Sequence, residues 1–194
     1  MFPVIPGETP IDDLSGLKIK GITTRRELNV FEAQNVNKAA QKYLLGQLTR
    51  RSARFDVTWC LKLHKEMFGK VWQWAGQPRT QNLNIGLPWQ HVGQQLHALL
   101  EDMKVWQFDA IEQSALLHHR ATQIHPFLNG NGRWSRMLAN IWLRLGKQAI
   151  VSWPETTLGE TSTIRDAYLN ALRLADTGDC AALIQLHRRH QAQR

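Results

Sequence analysis

No apolar run in this chain approaches the ~20 residues needed to cross a bilayer, which argues against a membrane-spanning protein. The opening residues, Met-Phe-Pro-Val-Ile-Pro-Gly-Glu, have neither a basic start nor a long apolar stretch, so no secretion signal is expected. Cysteine is scarce. Cys60 and Cys180 stand far apart without metal-type spacing, which points to a reduced, cytoplasmic protein rather than a disulfide framework or zinc module. Internal repeats and low-complexity tracts are missing, which excludes a solenoid. Acidic residues are in deficit: 16 Asp and Glu against 24 Lys and Arg give a net charge of +8. That balance favours an anionic partner such as a nucleotide, a nucleic acid or an acidic protein. Apart from Arg50-Arg51 and His187-Arg188-Arg189-His190 the basic residues are scattered. They form no dense stripe with interleaved aromatics, and this argues against nucleic acid.

Helical periodicity dominates what is there. Residues 1–24, with Gly7, Gly16 and Gly21 among prolines, read as an irregular arm, and 25–194 as a single domain. A first helix is expected from Arg25 to about Gln47, with Leu28, Phe31, Val36, Ala39, Tyr43 and Leu44 inward. A second runs from about Asp56 to Phe68, stopped at Gly69. Residues 70–88 are aromatic and punctuated by Gly76, Pro78, Gly86 and Pro88, and Arg79 to Ile85 suggests a short hairpin, the one β-like element. Helices follow over Trp89 to about Trp106, from a capping Asp109-Ala-Ile-Glu112 to His125, over Gly132–Leu145, about Glu160–Asp176, and Asp179–His190.

Residues 125–136, His-Pro-Phe-Leu-Asn-Gly-Asn-Gly-Arg-Trp-Ser-Arg, carry the chemistry. Proline biases His125 out of helix, toward the edge of the preceding one. Gly130 and Gly132 permit a turn whose N–H groups converge on an anion, and the next helix begins there with its positive dipole end. Arg133 and Arg136, about one turn apart, add two planar forks suited to phosphate oxygens. A neutral His125 at the rim is placed to accept a proton from an attacking hydroxyl.

This stretch closely resembles the signature of the Fic (Fido) family, His-x-Phe-x-(Asp/Glu)-Gly-Asn-Gly-Arg-x-x-Arg, and departs from it only at Asn129. The resemblance extends over residues 59–186, through Leu63-His64, Trp72-Gln73-Trp74-Ala75-Gly76, Arg79, and Tyr168 to Asp179. The opening, Gly7-Glu-Thr-Pro10 and Ile22-Thr-Thr-Arg25, is similar to the mobile mystery protein B subgroup, whose members are typically encoded beside a helix-turn-helix partner. The resemblance implies an all-α bundle with a short β-hairpin flap, and transfer of AMP from ATP to a hydroxyl of a protein target. His125 would be the general base. Gly130, Asn131 and Gly132 would cradle phosphates, and Arg133 and Arg136 would hold the outer ones. Arg79, Thr80, Gln81, Asn82, Leu83, Asn84, Ile85 and Gly86 would form the flap that pairs with the target. The chain would be the toxin of a toxin–antitoxin pair, with a helix-turn-helix antitoxin as partner.

The family's acidic residue would hold Mg²⁺. Asn129 in its place lacks the charge and weakens the expected metal site. A catalytically impaired nucleotide- or partner-binding module is therefore the rival reading. The kinase-like branch of the family has lysine where Gly132 stands, which favours nucleotidyl transfer. Two incomplete matches to the family's inhibitory Ser/Thr-x-x-x-Glu-Gly/Asn pattern occur, Thr23 to Glu27 and Thr156 to Glu160, and the first would pair Glu27 with Arg136. His118, His119 and His125 do not read as a zinc site, because adjacent helical histidines diverge by about 100°.

Overall fold

The computed structural model describes residues 14–154 and 162–192. Seven α-helices occur among them: α1 (Arg25–Ala40), α2 (Val57–Phe68), α3 (Val92–Asp102), α4 (Ala110–Ile124), α5 (Asn131–Leu145), α6 (Thr163–Asp176) and α7 (Ala181–His190). The all-α class is what the chain adopts. Among the described residues, β-type pairing is confined to two isolated bridges, Leu17 with Trp72 and Val151 with Gln191. No described helix is long and apolar enough to cross a membrane.

Local chemistry starts the helices where expected. Thr24 and Glu27 form a reciprocal capping box on α1, Asp56 accepts from the Trp59 N–H on α2, and Asp109 accepts from Ile111 and Glu112 on α4. Glu112 does not complete a box there. Its carboxylate meets Arg188 of α7 at 3.0 Å. The first helix is shorter than its periodicity suggested, passing after Ala40 into a π-type turn, Gln41–Leu45. Its inward stripe is Leu28, Glu32, Asn35, Ala39 and Tyr43, while Phe31 faces outward, 37% exposed. The helix expected over 89–106 begins as a 3₁₀ turn at Trp89–His91 and ends at Asp102.

Helices α4 and α5 pack closely on each other and form the centre, with α1 and α2 packed together and contacting this pair through α2. The principal core lies among α1 to α5, built on Leu28, Leu63, Trp72, Leu117, Phe127, Trp134 and Leu138. A second cluster of Ala115, Tyr168, Ala171, Leu172, Ala175 and Leu183 fixes α6 and α7 to α4. The motif loop at 125–130 therefore leaves one central helix and enters the other, with core on both sides.

The hairpin expected over Arg79–Ile85 is not formed. The segment 79–88 is a ladder-free loop closed at its base by side chains. Arg79 donates to the carbonyls of Gln81 and Leu87, and Asn82 Oδ1 accepts the Trp89 N–H at 3.0 Å. Arginine and amide bonds satisfy backbone groups that cross-strand pairing would otherwise take up.

Candidate active site

His125 ends α4 in the left-handed conformation, φ 53° and ψ 61°, a region a side-chain-bearing residue adopts only when its surroundings hold it there. Its surroundings do so. The buried Arg79 guanidinium donates to the His125 carbonyl at 2.7 Å and reaches the Ile124 carbonyl, while the Arg79 N–H donates to Pro126 O. A cation thus sits on the C-terminal carbonyls of α4, where the helix dipole favours it. Arg79, expected to belong to the target-pairing flap, ties the 79–88 loop to the end of α4. Gly86 lies directly over His125. Its φ of +94° and the presence of His125 Cβ in the space a side chain would fill admit only glycine.

The His125 ring is set for base chemistry. Nδ1 lies 3.3 Å from Thr122 O, a contact that requires Nδ1 to carry the proton, so the lone pair is on Nε2. Burial lowers the imidazole to about 4 against the smaller raising effect of the Thr122 hydrogen bond, with Arg79 lowering it further, and the ring is neutral at cellular pH. A cavity of about 350 Å³ opens beside it, between Ile85 to Leu87 of the loop and Leu169, Leu172 and Arg173 of α6.

The turn into α5 is the stretch expected to cradle phosphates. Gly130 takes φ +78° and a Cβ there would lie 2.7 Å from the Phe68 ring. Gly132, by contrast, is helical and needs no special backbone angle. A Cβ on it would meet only Arg136 Nη1, at 3.4 Å, so what its lack of a side chain preserves is space in front of that arginine. Helix α5 starts without a side-chain cap, leaving the first N–H groups, Asn131 to Arg133, pointing out of the helix end.

The Asn131 side chain does not face that end. Its Oδ1 accepts from Phe127 N at 2.9 Å and its Nδ2 donates to Phe127 O at 2.8 Å, a two-point clamp that fixes the loop. The Asn129 Oδ1 folds onto the Gly130 N–H at 2.6 Å, and its carbonyl accepts from His64 Nε2 at 3.0 Å. His64, stacked on Phe127 with ring centroids 3.6 Å apart, accepts the Gly76 N–H on Nδ1 and so must donate from Nε2. Burial holds it at about 3.

Both motif arginines have protein partners. Arg133 Nη2 meets Glu32 Oε2 at 2.7 Å and its guanidinium lies 4.8 Å from the Phe68 ring centre. Glu32, fully buried, accepts the Trp72 indole N–H on its other oxygen at 2.6 Å. Sequence reading missed Glu32. A carboxylate one turn after Leu28, in line with Asn35 and Ala39, was the available signal, because a charge in an inward stripe demands a buried partner. Arg136 Nη1 donates to the Tyr168 hydroxyl at 3.3 Å.

Glu27 is not brought to Arg136. Its Oε2 is bonded to Thr23 N, Thr24 N and the Thr23 hydroxyl, capping α1 at the surface, and these bonds lower its carboxyl. The other inhibitory match, Thr156 to Glu160, lies outside the described residues. His118 and His119 take different partners, His187 and Tyr168 for the former and Asp176 for the latter.

Residues 54–143 match the profile of the Fic/DOC family. In that stretch the chain is similar to Fic domains. Protein adenylyltransferase fic-1 of Caenorhabditis elegans is 27% identical over 186 residues, covering 91% of this chain and 34% of that protein. Protein adenylyltransferase Fic of Aedes aegypti is 24% identical over 156 residues, covering 76% and 30% respectively. The chain thus spans about a third of the length of these curated relatives. Among solved structures, a fragment of C. elegans Fic-1 superposes with TM-score 0.71 at 25% identity, over 89% of this chain and 50% of that one. BepC of Bartonella tribocorum, solved with bound AMPPNP, superposes with TM-score 0.69 at 18% identity, over 93% and 94%. The Fic fold accordingly extends past the profile match in both directions.

Proposed function

We propose that this Fic domain transfers AMP from ATP to a hydroxyl group of a protein target. The observation that carries the reading is the joint placement of a neutral His125, with its lone pair on Nε2, beside an uncapped helix end flanked by Arg133 and Arg136. Relatives named as protein adenylyltransferases support it.

In this mechanism the first N–H groups of α5 receive the α-phosphate region, and Arg133 and Arg136 hold the β- and γ-phosphates. A target hydroxyl enters through the cavity under Gly86. His125 Nε2 takes its proton as the oxygen bonds to the α-phosphorus. The bond from that phosphorus to the β-bridging oxygen breaks, and pyrophosphate leaves against the two arginines. Ile85 and Gly86 line that entrance, and in this reading the loop from Thr80 to Gly86 contacts the target. Arg79 holds them there.

The residues present do not fit a protein-held Mg²⁺. The one side-chain oxygen the motif loop offers, Asn129 Oδ1, is neutral and already accepts the Gly130 N–H, whereas this ion takes carboxylate ligands by preference. The same observation favours a second reading, a Fic scaffold that binds nucleotide or a partner and turns over slowly. The antitoxin partner rests on the subgroup resemblance of residues 7–10 and 22–25, and the cytoplasmic setting on the cysteine pattern.

The deciding experiment is incubation of the purified chain with ATP labelled at the α-phosphate, Mg²⁺ and bacterial lysate, beside His125→Ala. A labelled protein band in the parent alone supports transfer. Nucleotide binding without label in either sample supports the scaffold reading.

A further inference from the structure

A buried chain of hydrogen bonds runs from α7 through α4 and α6 to Arg136. Ser114 Oγ lies 2.8 Å from Ile111 O and 2.9 Å from His187 Nδ1. His187 Nε2 lies 3.0 Å from His118 Nδ1, and His118 Nε2 lies 2.9 Å from the Tyr168 hydroxyl. Arg136 Nη1 ends the series on that hydroxyl. Ser114, His118 and His187 are fully buried, and Tyr168 is 5% exposed.

The proton order along the series follows from its fixed acceptor, the Ile111 carbonyl. A carbonyl oxygen has no hydrogen, so the Ser114 hydroxyl donates to Ile111. His187 must then donate to Ser114 from Nδ1, which leaves its Nε2 as acceptor. His118 must donate to it from Nδ1, leaving Nε2 to accept the Tyr168 O–H. The tyrosine oxygen is thereby left to accept from Arg136. This assignment needs both imidazoles neutral, and burial pushes both down, His187 to about 3 and His118 well below its ordinary value. The groups packed on the pair agree. The Trp153 ring meets both edge-on, and Arg136 and His119 beside His118, with His190 beside His187, also lower the two imidazoles. Donors aligned in one direction polarise each other, so the Tyr168 oxygen is a better acceptor than an isolated phenol.

We propose that Tyr168, His118, His187 and Ser114 are positioning residues that fix the Arg136 guanidinium in front of Gly132, so that helix α7 helps set the grip on the outer phosphates. The proposal rests on the reading that Arg136 holds those phosphates. The alternatives for such a cluster are poorer. With one nitrogen of each ring on the other histidine and the second on Ser114 or Tyr168, neither has a lone pair left for a metal, and the buried position excludes substrate.

Two measurements test it. Long-range ¹H–¹⁵N spectra of the full chain should show His118 and His187 neutral and protonated on Nδ1 from pH 6 to 8, assigned by the signals lost in His118→Gln and His187→Gln. A proton on Nε2 of either ring, or titration near 6.5, overturns the chain as drawn. Calorimetric affinities for ATP and AMP then test its purpose. His187→Gln should weaken ATP about threefold to tenfold, the effect of one hydrogen bond, and leave AMP unchanged. The loss should vanish in an Arg136→Ala background. Tyr168→Phe, which keeps the ring, should show the same pattern and guards against misfolding of the histidine variant. Equal weakening of ATP and AMP, or a loss that persists without Arg136, overturns the positioning role. A parent protein that binds ATP no tighter than AMP overturns the functional reading, and the positioning role with it, while the proton positions remain readable in the spectra.

Discussion

Lowering the pH from 7 to 5 should remove most of the stability of this fold. Four histidines, His64, His118, His125 and His187, are buried and held neutral, with His64 and His187 at about 3 and His125 at about 4. In the unfolded chain each titrates near 6.5. Between those values the unfolded state binds protons that the folded state refuses, so stability is fully present above 6.5 and falls as the pH drops below it. One and a half pH units at about 1.36 kcal/mol per unit costs about 2 kcal/mol for each group with a value above, or about 6 kcal/mol for the three. A domain's whole stability is roughly 5–15 kcal/mol. Urea unfolding followed by tryptophan fluorescence at pH 7, 6 and 5 measures this directly. The slope of unfolding free energy against pH gives the protons taken up on unfolding, with four expected near pH 5. His64→Gln should lower that number by one. An unfolding free energy that stays within about 1 kcal/mol between pH 7 and 5 would refute the argument, because four neutral buried imidazoles cannot be silent there.

Three further outcomes follow from the site. Asn129→Asp, which keeps the bond to Gly130 and adds a charge, should raise labelling at limiting Mg²⁺ severalfold; equal or lower labelling counts against the neutral amide as the weakness of the metal site. Gly86→Ala should cut labelling at least tenfold with an unchanged far-ultraviolet spectrum, because the added methyl displaces the loop from His125; retained activity would mean the loop does not need this contact. Glu27→Ala should lower the melting temperature by loosening the α1 cap while leaving self-modification unaltered, and a rise in self-modification would restore Glu27 as an inhibitory residue.

Most helix boundaries were legible because capping is local chemistry. Asp56 and Asp109 sit within three residues of the N–H groups they satisfy, and Gly130 marks the entry to α5 by its own backbone angle. The candidate site was legible in its composition and less so in its division of labour. Asn131 and Arg79 both look like ligand contacts, yet one clamps Phe127 and the other tethers a loop, because their partners are backbone groups that no motif displays. The loop at 79–88 looked like a hairpin, since punctuation by glycine and proline does not tell cross-strand pairing from closure by an arginine. Glu32 and the His118–His187 pair depend on partners 101 and 69 residues away, and periodicity within one helix carries no information about such distances.

The bond between Glu32 and Arg133 bears on where this chain can be cut. The family profile begins at residue 54, yet the carboxylate that braces the first motif arginine and also accepts the Trp72 indole N–H comes from α1. A fragment starting at 54 would leave a buried indole N–H unbonded and Arg133 free to swing, besides exposing the surface that Leu28 and Tyr43 cover. A useful piece of this protein must therefore include α1 with its Thr24 cap, some thirty residues before the recognisable part of its sequence.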